Sequence, residues 1–164
     1  MPLDPWSSLP SASRVWVFGT ERALAPAEER SLLDAVDAFL SDWRAHGHPL
    51  RCAREWREGR FLLVGVDQAS EPPSGCSIDA FVRSLKALEA RLGVGLVGHG
   101  AIFYRTPDGD IERVERSTWR ARRAEGAVGA DTPVFDLTLT EKAQADEVGL
   151  ERPASETWVG RAFA

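Results

Sequence analysis

Apolar residues in this chain fall into runs whose spacing switches between the two-residue period of strands and the three-to-four-residue period of helices. Residues 1–13 are rich in Pro and Ser and predict an extended arm, with Trp6 and Leu9 as anchors to the body. Residues 14–18, RVWVF, put Val15 and Val17 on one side and Trp16 and Phe18 on the other, the pattern of an interior strand. Leu32, Leu33, Val36, Phe39, Leu40 and Trp43 then recur along one stripe, which predicts a long helix. Pro26 suits its first turn, and Glu28 and Glu29 complement its dipole. Gly47 is a natural end, so His46 is expected in the last turn, where free carbonyls favour a protonated imidazole.

Residues 51–67 read as a hairpin with Glu58-Gly59 as a two-residue turn. Its first arm is polar and alternating, like an edge strand; its second, FLLVGV, is apolar throughout and predicts a central one. A loop stiffened by Pro72 and Pro73 leads to a second helix, with Ile78, Phe81, Val82, Leu85, Leu88 and Leu92 on one stripe and Gly93 at its end. The Gly-rich stretch GVGLVGHG connects to a strand at residues 101–106, and Pro107-Asp108-Gly109 turns the chain into a return arm. Ser117 is a candidate cap for a short helix, and a further strand is expected at residues 133–139. No repeat or linker divides the chain.

The resulting order, βαββαβ, predicts an α+β fold with a ferredoxin-like sandwich core: two helices on one face of an antiparallel sheet, first and third strands central. The expected organisation is an arm (1–13) and one domain (14–164), with the core over about 14–106 and an extension over about 107–164. That extension, a hairpin arm, short helix and tail, is expected over the sheet's other face. Chain direction then brings the end of the first helix, the start of the second strand, the end of the third and the start of the second helix to one rim, here the lower rim. His46, His48, Cys52, Asp67, Cys76 and Asp79 are all expected there.

Cys76 is the chemical focus of that rim. Amide groups at a helix start stabilise a thiolate, and a neighbouring imidazole can take its proton. This predicts Cys76 as nucleophile, His46 as base or orienter, and Asp67 or Asp79 in support. The same amides, with Ser74, Gly75 and Ser77, also suit a phosphate or carboxylate ligand without catalysis. A zinc set of His46, His48, Cys52 and Cys76 is a third alternative, although its spacing lacks the usual paired-ligand knuckle.

Net charge, -5, speaks against general nucleic-acid binding, which needs a basic face. Arg113, Arg116, Arg120, Arg122 and Arg123 form one basic cluster, expected as a solvated helix face paired with nearby acids. No apolar run approaches the roughly 20 residues that span a bilayer, and no signal peptide is evident. Two cysteines without a secretory signal predict reduced thiols and a cytoplasmic location. No cofactor motif stands out, since GVGLVGHG does not follow a strand and open a helix. His99 within it has no expected partner.

The segments WRAHGHPL, RFLLVGVDQ and SGCSIDAFVRSLKALE, within a match running from the WSSLP arm to the ETW near the end, resemble an uncharacterised family of small bacterial proteins. Some of its members are labelled ABC transporter ATPase. That label implies nucleotide hydrolysis, and this chain has no GxxxxGK[ST] loop to support it. The resemblance brings no activity with it. Two functions stay open: a small-molecule enzyme centred on Cys76, or a non-catalytic anion-sensing or protein-interaction module, with an exposed sheet edge as a route to a homodimer.

Overall fold

A computed structural model describes residues 3–97 and 100–163 of the chain. A 3-10 turn at Trp6–Ser8 precedes β1 (Arg14–Thr20) and α1 (Pro26–Ser41). A small ribbon, β2 (Arg44–Ala45) and β3 (His48–Pro49), leads into the hairpin β4 (Cys52–Arg57) and β5 (Phe61–Val66). Then come α2 (Gly75–Leu92), β6 (Leu96–Val97), β7 (Ile102–Arg105), β8 (Ile111–Val114) and α3 (Arg116–Ala124). β9 (Pro133–Phe135), a π-helical turn at Gln144–Gly149, β10 (Glu151–Pro153) and α4 (Trp158–Ala162) follow.

Two antiparallel sheets result, in the orders β4-β5-β1-β6 and β10-β9-β7-β8. The fold is α+β, as the order of elements implied. Strand alternation explains how four layers stack. Leu62, Val64 and Val66 of β5 point to one face and join Leu32, Val36 and Leu40 of α1 and Phe81, Leu85 and Leu88 of α2 in one core. Phe61, Leu63, Val15 and Val17 point the other way, onto Phe103, Phe135, Leu137 and Leu139. Ile102 and Tyr104, on the far face of β7, pack with Trp119 of α3 and Val159 of α4. The layers are therefore helices, sheet, sheet, helices. Gly19 marks how close the sheets come, because a Cβ there would lie 2.6 Å from the Phe103 ring.

Several boundaries differ from expectation, each for a local reason. The strand at residues 101–106 does not complete the first sheet. β6 takes that place beside Gly19 and Thr20, while β7 pairs with β8 and β9. Phe103 faces the first sheet and its neighbours face α3, so β7 is buried on both sides and belongs at the centre of a second sheet. The chain from β7 onward thus builds the second sheet of a two-sheet sandwich, more than a covering arm.

Helix α1 stops at Ser41, earlier than Gly47. Trp43 is drawn into the core, its indole N–H donating to the Ser77 carbonyl at 2.8 Å. His46 and Gly47 instead form the turn of the β2–β3 ribbon, with φ of 50° and 78°. Glycine adopts such a backbone at no steric cost, and the two-residue turn with both φ positive matches the twist of a hairpin. The β4–β5 connection has three residues, Glu58 to Arg60, because Arg57 pairs with Phe61. Helix α3 starts at Arg116 after Glu115, so Ser117 lies inside it. The strand expected over residues 133–139 ends at Phe135. His99 lies outside the described residues. In the arm, Leu9 is buried and the Trp6 indole donates to Asp146.

Candidate functional site

The lower rim is built by the start of α2. Ser74 is its N-cap: the Ser74 Oγ accepts from the Ser77 N–H at 3.1 Å, and the Ser77 hydroxyl donates back to the Ser74 carbonyl at 2.8 Å. Both hydroxyls close the first turn. Gly75 and Cys76 are exposed on that turn, and Asp79 is exposed one turn on. The Trp43 bond to Ser77 fastens the root of the β2–β3 ribbon beside them. His46 sits at the ribbon's tip and His48 on its second strand, both exposed. The expected place of His46 in a helical turn is therefore not found. Among the described residues, no hydrogen bond or ion pair links His46, Cys76 and Asp79 into a relay.

Asp67 and Cys52 are held in structural contacts. The buried Asp67 carboxylate accepts from Arg51 Nη1 at 3.1 Å and from the Ala69 N–H at 3.0 Å. Arg51 also donates to Asp4 and to the Ser8 carbonyl, which ties the arm to the strand. Cys52 is buried, and its thiol donates to the Leu40 carbonyl at 3.4 Å. Burial pushes that thiol up to about 12, far from thiolate chemistry. A hollow of about 340 Å³ opens here, lined in part by Leu50, Trp43 and Cys52 but not by His46 or Cys76. Among the described residues no group of three or more His, Cys, Asp and Glu side chains is arranged to hold a metal, so His46, His48, Cys52 and Cys76 do not converge as a zinc set would.

A larger cleft, about 790 Å³, lies at the opposite, upper rim. The segment before α1, the β4–β5 turn and the β7–β8 hairpin form its walls. Two of those walls come from different sheets, and Arg60 joins them. Its Nε donates to Thr20 Oγ1 at 3.2 Å, its Nη2 to the Thr20 carbonyl at 2.9 Å and its Nη1 to the Ile111 carbonyl at 3.0 Å. The guanidinium also stands 5.8 Å from the Phe103 ring centre. Arg60 is only 8% exposed, and burial lowers its pKa from the ordinary arginine value. All three acceptors are neutral. A buried cation without a counter-charge costs several kcal/mol in solvation, by the usual order of magnitude.

Most other charges of the cleft are matched. Arg22 pairs with Glu28 at 2.7 Å, and this bond with the Ala25 N–H holds the Glu28 carboxyl at about 2. Arg105 pairs with Glu151 at 2.6 Å and Glu58 at 3.2 Å. Glu112 accepts from Tyr104 and Arg122, which keeps its pKa low. Arg113 reaches Glu115 at 2.8 Å through Nη2, while its buried Nε–H has no acceptor. Glu21, Glu29 and Asp110, also in the lining, form no ion pair among the described residues, and Glu21 accepts from the Gly95 N–H at 2.8 Å.

The basic cluster divides by role. Arg113 and Arg122 pair with acids, and Arg116 and Arg120 stack over Trp158 and Phe163 at 5.2 and 4.8 Å. Reasoning from the sequence missed Arg60 because it weighed Cys and His above arginine. A signal was present: a basic residue between the Glu58-Gly59 turn and the apolar run FLLVGV must bury its stem with the strand. No family model, curated protein or solved structure matches this chain.

Proposed function

We propose that this protein is a non-catalytic module that binds a small ligand through an anionic group at Arg60. One observation carries the reading: the cleft holds a buried guanidinium whose three acceptors are all neutral. An anion there supplies the missing counter-charge, and charge-assisted bonds to arginine are roughly twice as strong as neutral ones. The volume falls within the ~300–1,000 Å³ of small-molecule sites. This keeps the ligand-sensing reading and moves it from the start of α2 to the upper rim. We read α1, α2 and the first sheet as a ferredoxin-like unit, supported by the strand order β4-β5-β1-β6 with both helices on one face. Kinship with the small bacterial family and a cytoplasmic location belong to the same proposal.

Thermal unfolding at fixed ionic strength tests it, with sodium acetate replacing chloride. A saturable rise in Tm is expected for the native chain and no rise for Arg60→Gln. Equal Tm in the two salts sinks the proposal.

A second reading has one specific observation in its favour: Cys76 is exposed in the first turn of α2, open to a small electrophile. Iodoacetamide labelling of Cys76 against pH, in a Cys52→Ala background, tests it. An apparent pKa well below 8.5 supports thiol chemistry, and an ordinary value removes it.

A further inference from the structure

The upper-rim cleft holds unmatched charges of both signs. Its lining carries four arginines and five carboxylates. Pairing within the protein leaves Arg60 without a carboxylate and Arg113 with an unbonded Nε–H. It also leaves the Glu21, Glu29 and Asp110 carboxylates without a paired cation among the described residues, Glu21 accepting only from the Gly95 N–H at 2.8 Å. Each class of ligand meets this pattern differently. A dianion such as phosphate gains Arg60 but is repelled by the surrounding carboxylates. A simple amine gains the carboxylates but leaves the buried guanidinium uncompensated. A neutral molecule answers neither.

We propose that the ligand is zwitterionic, a small molecule carrying a carboxylate and a protonated amine, with the free α-amino acids as its simplest members. The inference rests on the proposed binding function and extends it to ligand class. Arg60 takes the carboxylate through the two of its five N–H donors that its bonds to Thr20 and Ile111 leave over. Glu29, at the first turn of α1, and Asp110, at the β7–β8 turn, take the ammonium. Glu29 comes from α1 and Asp110 from the β7–β8 hairpin, so the ammonium has carboxylates from two distant segments of the chain available in one cleft. Specificity follows from polar groups left unpaired by the wrong ligand, a penalty that commonly exceeds the gain from any one contact.

The test uses the full-length protein and calorimetric titration with the common L-α-amino acids, their N-acetyl derivatives and their methyl esters. At least one free amino acid is expected to bind about tenfold or more tightly than either of its blocked forms, since each lacks one charge. Arg60→Gln should weaken that binding by a similar factor. The paired substitution Glu29→Gln with Asp110→Asn, at sites that take no part in the core, should weaken the free amino acid and leave its N-acetyl form unchanged. Equal binding of the free and N-acetyl forms overturns the zwitterion while leaving the anion site at Arg60 standing. Binding that neither set of substitutions alters places the site elsewhere and overturns the proposal. If neither amino acids nor acetate bind, this proposal and the function beneath it fall together.

Discussion

The two rims of the first sheet are built from opposite kinds of residue. The lower rim gathers both cysteines, two of the three histidines and two carboxylates, residue types that carry chemistry in many proteins. Yet its hydroxyls cap a helix, its buried carboxylate clasps Arg51, and its buried thiol bonds a backbone carbonyl. The upper rim contains ordinary arginines and carboxylates, and there the unmatched charges sit next to a cleft. Residue type is therefore a weaker guide than whether the fold leaves a group's bonding capacity unmet. The contrast lies in burial: His46, Cys76 and Asp79 are exposed to water, whereas the upper rim holds a buried guanidinium with only neutral acceptors and a buried Arg113 Nε–H with none.

The largest expected effect breaks the foundation of the upper rim. Phe61 is fully buried between the sheets, with ring centres 4.5 Å from Phe135 and 5.2 Å from Phe103. Phe61→Ala should lose about 3–5 kcal/mol in urea unfolding, as large aromatic truncations do. A loss under about 1 kcal/mol would mean that the sheets do not support one another as described.

Next comes the cleft itself. Without ligand, Arg60→Gln should lose about 1–3 kcal/mol, because the Thr20 and Ile111 carbonyls lose donors. On the lower rim, Ser74→Ala should cost about 1 kcal/mol through the lost cap, while Cys76→Ser and His46→Ala should stay within about 0.5 kcal/mol. Equal costs on the two rims would erase the contrast between them.

Titration gives the smallest effects and separates the rims by pH. The Glu28 carboxyl, held at about 2 by Arg22 and the Ala25 N–H, contributes stability fully present above its ordinary value near 4.5. That contribution fades as pH falls toward 2, so Glu28→Gln should flatten the acid limb of the stability curve. Cys52 has the opposite sign. Its raised thiol contributes stability below about 9 that is lost as pH climbs toward 12, and Cys52→Ala should flatten the alkaline limb. Denaturant midpoints measured across both ranges check the two slopes.

Legibility along the chain followed the range of the forces involved. The apolar stripes of α1 and α2, the Pro26 start and the Gly93 end are local matters of period and backbone freedom, and they agree with the structure except that Val82 is exposed and Trp43 lies beyond the end of α1. So does the central position of β1 and β5, whose apolar residues on both faces announce two-sided burial. Residues 101–106 were misassigned because an apolar strand fits either sheet, and only the competition between β6 and β7 for the edge of β1 decides. His46 was misplaced because glycine ends helices and turns hairpins equally well. Trp43, pulled away by the Ser77 carbonyl, settled that choice.

The sequence by itself determined the α+β class, the two long helices and the buried strands, because period and composition act over a few neighbouring residues. Only the tertiary structure decided that there are two facing sheets, and which polar groups are matched and which are not. Pairing joins residues far apart in the chain, as Arg60 joins Thr20 to Ile111. Whether a charge is satisfied is a property of its surroundings, and no stretch of sequence contains them.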